Sequence, residues 1–236
     1  MDNRYGRVEW GPGGTRVRTS AAYWKQPMKW DREAGAEGVR RRVFCASLAD
    51  VFEDRPELEP WRLDLFALID RTPGLDWLLL TKRPENIPAL WAYFAGSSDP
   101  YYPPNVWIGT SVEDQAAAYR RIPELLAIPA AVRFLSVEPM LAPVDLDGWL
   151  AVRQGWKRFE GDHSGPDIHW VIVGGESGRG ARPMDEEWVR SIRDRCQSAN
   201  VAFFYKQRLE HGRKVGLPEL DGRRWAEFPE PDHART

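Results

Sequence analysis

Six short apolar runs recur along the 236 residues at an interval that few folds accommodate. They are Val43-Phe44-Cys45-Ala46, Trp77-Leu78-Leu79-Leu80, Val106-Trp107-Ile108, Val132-Arg133-Phe134-Leu135, Trp170-Val171-Ile172-Val173 and Val201-Ala202-Phe203-Phe204-Tyr205. Their starts lie 34, 29, 26, 38 and 31 residues apart. Most are continuous rather than alternating, the pattern of parallel strands buried on both faces, and each gap has room for one crossover helix. The spacing predicts either an open doubly wound sheet or a partial barrel, and both put ligands at the carboxyl ends of the strands.

Several of the crossover helices are visible in the sequence. Trp61–Arg71 follows Pro60 and carries the stripe Trp61, Leu65, Leu68, Ile69. Ser111–Ala127 opens on a capping-box spacing, Ser111 to Asp114, with Pro123 expected to break or kink it. Asp185–Ala199 begins on an acidic turn and turns Trp188, Ile192 and Cys196 inward. Weaker helices fall near Glu85–Phe94 and Asp145–Arg153, and Arg153–Asp167 reads as an insertion loop. The expected organisation is a basic N-terminal arm over 1–42, a β/α domain over 43–207 and an irregular tail over 208–236.

Charge is unevenly spread. The first 42 residues carry a net +5 and the remainder −7. In the arm, Tyr5, Trp10, Tyr23, Trp24 and Trp30 interleave with Arg4, Arg7, Arg16, Arg18, Lys25 and Lys29, a composition that suits nucleic acid. Arginine outnumbers lysine 27 to 6 over the whole chain, however, so an Arg-rich segment is partly background. No stretch approaches the roughly 18 apolar residues of a spanning helix, and Met1-Asp2-Asn3-Arg4-Tyr5 lacks a secretory apolar core, so a cytoplasmic protein without membrane contact is expected. Cys45 and Cys196 are the only cysteines, which excludes a disulfide framework and any three-thiolate site built from this chain alone.

Function is sought just past each apolar run. The strand ends read Ser47-Leu48-Ala49-Asp50, Thr81-Lys82-Arg83, Gly109-Thr110-Ser111-Val112-Glu113-Asp114, Ser136-Val137-Glu138-Pro139, Gly174-Gly175-Glu176-Ser177 and Lys206-Gln207. So dense a polar rim favours a ligand site, although each residue also has a structural use. Glu113 and Asp114 sit where helix capping puts acids, Asp50 caps a turn equally well, and Lys82 with Arg83 is either solvated or an anion clamp. Glu138 precedes Pro139 with no helix turn to cap. Gly174-Gly175 permits close backbone approach to a ligand but is neither a Walker loop nor G-x-G-x-x-G. The four histidines (His163, His169, His211, His233) lack metal-ligand spacing, no G-x-S-x-G elbow occurs, and both cysteines read as packed hydrophobes.

Six ordered strings carry a family resemblance: Thr19-Ser20-Ala21-Ala22-Tyr23-Trp24-Lys25-Gln26-Pro27, Val43 to Phe52, Leu80-Thr81-Lys82-Arg83-Pro84, Gly109-Thr110-Ser111-Val112-Glu113, Phe134 to Pro139, and Val173 to Gly178 with Arg182-Pro183-Met184. Together they resemble an uncharacterised phage and bacterial family found beside a three-Cys-motif partner protein. Its full-length members open with a W-N-P, C-x6-C-x2-C-Y-A segment similar to the cysteine triplet of radical S-adenosylmethionine enzymes. That resemblance implies a TIM-barrel-like partial (β/α) barrel of six or seven units. It also implies an N-terminally truncated member unable to hold an iron–sulfur cluster as it stands, with S-adenosylmethionine as possible cofactor. Gly174, Gly175, Glu176, Ser177, Thr110, Ser136, Glu138, Lys82 and Arg83 then become the cofactor-binding candidates, and Glu138, Glu176 and Lys206 the catalytic ones. Two other readings stay open, a non-catalytic phage accessory protein binding nucleic acid or a partner protein, and a hydrolase using a metal held by Asp50, Glu138 and Glu176.

Overall fold

The computed structural model describes residues 11, 13–45, 49–97, 101–150, 168–178 and 180–229. Ser47-Leu48, the Arg153–Asp167 loop, the arm's Arg4, Tyr5, Arg7 and Trp10, and the last seven residues lie outside them. The chain divides into two compact units, one of Met1–Arg42 with Arg55–Asp76 and one of Val43–Asp54 with Trp77–Thr236.

In the first unit, α1 (Ala21–Trp24) is capped by the Ser20 hydroxyl and runs into α2 (Gln26–Glu37), which stops at Gly38 in the left-handed region. A 3₁₀ turn (Pro56–Leu58) leads into α3 (Glu59–Asp70), two residues ahead of the expected start because Pro60 fits the first turn, where its missing N–H costs nothing. Several cations of the basic arm are paired within this unit. Arg18 pairs with Asp64 at 2.7 Å and lies 4.2 Å over the Trp24 ring, Arg41 donates to Glu33 and Glu37, and Arg40 holds the buried Asp76 at 2.7 Å.

The second unit is built on a seven-stranded sheet in chain order: β1 (Arg41–Cys45), β2 (Leu75–Thr81), β3 (Val106–Ser111), β4 (Val132–Val137), β5 (Trp170–Gly174), β6 (Ala202–Glu210) and β7 (Arg213–Gly216). Strands β2 to β6 pair in parallel and β7 is antiparallel to β6. A doubly wound sheet reverses its strand order at a switch point; this one never does. It also curls. Five strand spacings of about 4.8 Å would hold β1 and β6 about 24 Å apart in a flat sheet. Instead, Lys206 Nζ on β6 lies 5.5 Å from the Phe44 ring on β1, and that ring lies 6.4 Å from Phe134 on β4. The result is a curled, mostly parallel half-barrel.

Side-chain alternation sorts the strands into two faces. One face gathers Leu78, Trp107, Val132, Phe134, Trp170 and Ile172, with Leu80, Ala202 and Phe204 at its margin. Trp107, Phe134, Trp170 and Phe204 meet there in successive tilted and edge-on pairs, each worth about 0.5–1.5 kcal/mol beyond burial. Gly109 makes this possible, because a Cβ there would lie 2.3 Å from the Phe134 ring.

The crossover helices follow the sequence with specific departures. Helix α4 (Ile87–Ala95) follows a 3₁₀ turn, and α5 spans Gln115–Leu126. The cap of α5 is Asp114, whose carboxylate accepts from Ala117 N at 2.8 Å; Ser111 belongs to β3 and is buried. Pro123 sits inside α5 without ending it. The carbonyl its missing N–H cannot serve is that of Tyr119, an exposed residue, so the loss falls at the surface. Helix α6 (Glu186–Ala199) is capped by Asp185 as expected, but its buried stripe is Val189, Ile192 and Cys196, with Trp188 only half-buried. The expected helix at Asp145–Arg153 is a turn over residues 145–150, closed by Trp149 and Leu150 N–H groups donating to the Leu146 carbonyl, and 151–153 lie outside the described residues.

The expected irregular tail also differs. Beyond Gln207, β6 continues to Glu210 and turns into β7, and a small antiparallel pair follows, β8 (Glu219–Leu220) with β9 (Arg223–Arg224). Residues 225–227 then bond to Phe203 and Tyr205 on the outer side of β6. These segments cover a sheet edge that would otherwise present unpaired backbone groups, and their alternating polar sequence carries no apolar run to announce them. Gly109→Ala should destabilise the chain by about 1–3 kcal/mol, because Phe134 must leave its position over β3. Equilibrium denaturation measures it, and an unchanged midpoint would mean the ring yields freely.

Candidate functional site

The carboxyl edge of the sheet carries two polar networks. The first joins the ends of β1, β2 and β3. The Asp50 carboxylate accepts from Phe52 N (3.0 Å), Thr81 Oγ1 (2.6 Å), Lys82 N (3.0 Å) and Arg83 Nη1 (2.8 Å). Four donors saturate it, so Asp50 is a knot between two loops. Glu113 is held by Lys82 and, at 2.7 Å, by Arg121. Burial alone would raise the Glu113 pKa, but the hydrogen bonds and charges of Lys82 and Arg121 outweigh it and hold the carboxyl below its usual range. Thr110 is fully buried and its hydroxyl donates to the Thr81 carbonyl at 3.0 Å, which makes it an inter-strand tie beneath the rim.

The second network joins the ends of β4, β5 and β6. Glu138 directly follows β4, is joined to Pro139 by a cis peptide bond, and accepts from Lys206 Nζ at 2.8 Å. Lys206 is 40 % exposed and Glu138 16 %, so the pair is open on the lysine side. Beneath it lies Gly174. A Cβ at Gly174 would stand 3.2 Å from the Glu138 carboxyl carbon and 3.3 Å from Gln207 Cγ, so both side chains converge closely on this glycine. Gly175 is fixed on both sides by Gln207. Its N–H donates to the Gln207 carbonyl and its own carbonyl accepts from Gln207 Nε2, each at 2.9 Å. Leu141 N donates to the Glu113 carbonyl at 3.0 Å, which ties the loop after β4 to the first network.

A register shift at Val173/Gly174 shapes this second network. Val173 pairs with Tyr205 but Gly174 pairs with Gln207, leaving Lys206 as the extra residue. A bulge turns successive side chains toward one side, and here Gln207 approaches Gly174 while Lys206 reaches Glu138. Sequence reading finds Lys206 but assigns Gln207 no role, because a bulge of this kind has no signature in one strand alone.

The remaining candidates are placed apart from the pair. Glu176 is bound by Arg182 through its backbone N–H, Nε and Nη2, all at 2.9 Å, and these bonds bring the Glu176 pKa down to about 2. Its partner closes the loop through Gly178 and Gly180, both in the left-handed region, while Ser177 is exposed. Ser136 is buried. Asp50, Glu138 and Glu176 are each engaged by a different cation, and among the described residues no three His, Cys, Asp or Glu side chains come together as a metal site would need. Burial pushes the Cys45 thiol up to about 12 and the Cys196 thiol higher still, so neither offers a thiolate. A cavity of about 370 Å³ lies elsewhere, between the 147–150 turn and α6, where Arg195 is paired with Asp145 and Asp147.

Over residues 2–229 the chain matches the family described as "Protein of unknown function (DUF5131)". The chain belongs to that family. No curated protein and no solved structure matches it. In this DUF5131 member, then, the roles of rim residues rest on their own geometry. For Glu176, whose folded pKa is depressed, the ion pair contributes stability above the ordinary carboxylate range of about 4.3 and loses it as pH falls toward 2. Arg182→Ala should return the Glu176 titration to near its ordinary value, read by carboxyl carbon NMR, and should speed amide exchange over residues 176–182. An unmoved titration would mean the backbone N–H alone sets it.

Proposed function

We propose that this DUF5131 protein is a radical-SAM-like, TIM-barrel-related half-barrel of a phage or mobile element, which binds S-adenosylmethionine or a close nucleoside relative at the carboxyl mouth. The observation that carries the reading is the Glu138–Lys206 pair seated over the bare Gly174. Two opposite charges 2.8 Å apart, one partly exposed, match a ligand bearing both an anion and hydrogen-bond donors. Lys206 would take the ligand's carboxylate and Glu138 an amino or ribose hydroxyl donor. The Phe44 ring beside Lys206, with Phe134 beyond it, offers an apolar wall for a flat ring. Bound S-adenosylmethionine would supply an electrophilic sulfonium. The two cysteines of this chain do not fit an iron–sulfur cluster, and no step through one is derived.

The other expectations carry less support. Nucleic-acid binding through the basic arm loses Arg18, which is spent on Asp64 and Trp24. The metal hydrolase loses its carboxylates to Arg83, Lys206 and Arg182. A three-Cys-motif partner protein rests on the family resemblance, and a cytoplasmic address on the sequence's lack of a spanning or secretory apolar segment; among the described residues no helix is long and apolar enough to cross a membrane.

Isothermal titration calorimetry with S-adenosylmethionine and S-adenosylhomocysteine tests the proposal. Binding should weaken about 10- to 100-fold in Lys206→Ala, the loss expected for one charge-assisted hydrogen bond. It should also slow amide exchange over Gly174–Ser177. No heat and no protection with either compound would overturn it.

A further inference from the structure

Gln207 is 5 % exposed, yet its Oε1 has no hydrogen-bond partner. The orientation of the amide is fixed by its neighbour. Nε2 donates to the Gly175 carbonyl at 2.9 Å, and a flipped amide would set oxygen against oxygen there. The exposed end of the network is satisfied while its buried end lacks a donor. Leaving a buried acceptor unpaired is costly, so this oxygen calls for a partner from outside the chain.

The bulge in β6 says where that partner would come from. Gln207 and Glu138 converge on one point, the missing Cβ of Gly174, 3.3 Å from Gln207 Cγ and 3.2 Å from the Glu138 carboxyl carbon. Glu138 spends Oε2 on Lys206. Among the described residues, what remains around Gly174 is acceptor-rich, and Lys206 is bonded to the Glu138 carboxylate there. Resting on the ligand site proposed above, we infer that Gln207 and Glu138 form an ammonium subsite and that Lys206 adds the carboxylate contact, so the mouth reads the zwitterionic head of an α-amino acid. An ammonium group has three donors in a compact tripod, enough to reach both Gln207 Oε1 and the Glu138 carboxylate at once. A phosphate placed there would bring no donor to Gln207 and would set like charge against Glu138. Gln207 is therefore a specificity residue that discriminates ligands by their amine.

Calorimetry with paired ligands tests this. S-adenosylhomocysteine is compared with its deamino analogue, 4-(5′-adenosylthio)butanoate, and free methionine with butanoate, on the full chain. The wild type should prefer the amine-bearing member of each pair at least 10-fold. Gln207→Met, which keeps the side chain's length and removes the acceptor, should erase most of that preference, whereas Gln207→Glu, which keeps an acceptor there, should retain it. Circular dichroism and thermal melts of both variants confirm that each is folded. If S-adenosylhomocysteine binds but the deamino analogue binds equally well, Gln207 Oε1 is met by water and the inference fails while the cofactor reading stands. If methionine binds with the Gln207 dependence and the adenosyl group adds nothing, the cofactor reading fails and the amino-acid subsite stands. Absence of binding by all four compounds overturns both.

Discussion

The packing of Phe134 flat against the backbone of Gly109 is the contact on which the rest of the second unit depends. A β-carbon at residue 109 would occupy the ring's own position. With that carbon absent, Phe134 lies low across the sheet, Trp170 tilts against it at 5.8 Å, and Phe44 reaches it from β1. The apolar side chains of one face can then meet one another rather than stand apart, and apolar surface removed from water favours the curl that brings them together. Curvature follows from packing here, since a flat sheet of the same strands would leave Phe44 and Lys206 without neighbours.

Because the sheet curls, the carboxyl ends of β4, β5 and β6 converge, and the chemistry at the mouth is one of balance. Four carboxylates placed there are matched by cations: Asp50 by Arg83, Glu113 by Lys82 and Arg121, Glu138 by Lys206, Glu176 by Arg182. Most of these pairs fasten loops. Asp50 is saturated and Glu176 is wrapped by one arginine, so neither has an acceptor to spare for a ligand. The Glu138–Lys206 pair differs in lying on a glycine, beside an amide with an unmet oxygen and an aromatic ring. A partly exposed pair of this kind contributes little to stability.

Much of this was legible before any coordinates. The apolar runs placed β1 to β6, and Asp185 marked the start of α6, because burial on two faces and helix capping each leave a local signature. The candidates Glu138, Lys206 and Gly174 came from position alone and do lie together. Thr110 and Ser136 lie inside β3 and β4 rather than past their ends and are buried, since the point at which a strand stops cannot be read from a continuous apolar run. β7 and the segment after β9 were missed because an edge ribbon is selected for solvent exposure, not for burial.

The amino-acid sequence by itself determined the strands, the spacing of the crossovers and the polar character of the rim, since each of these is imposed by local periodicity and by where the chain must leave the core. Only the tertiary structure decided that the strands run in unbroken order and curl, that the bulge aims Gln207 beside Lys206, and which rim charges neutralise one another. Those outcomes depend on contacts between residues tens of positions apart, such as Phe134 on Gly109 and Glu138 with Lys206, and the free energy of such contacts exists only once the backbone has brought them within reach.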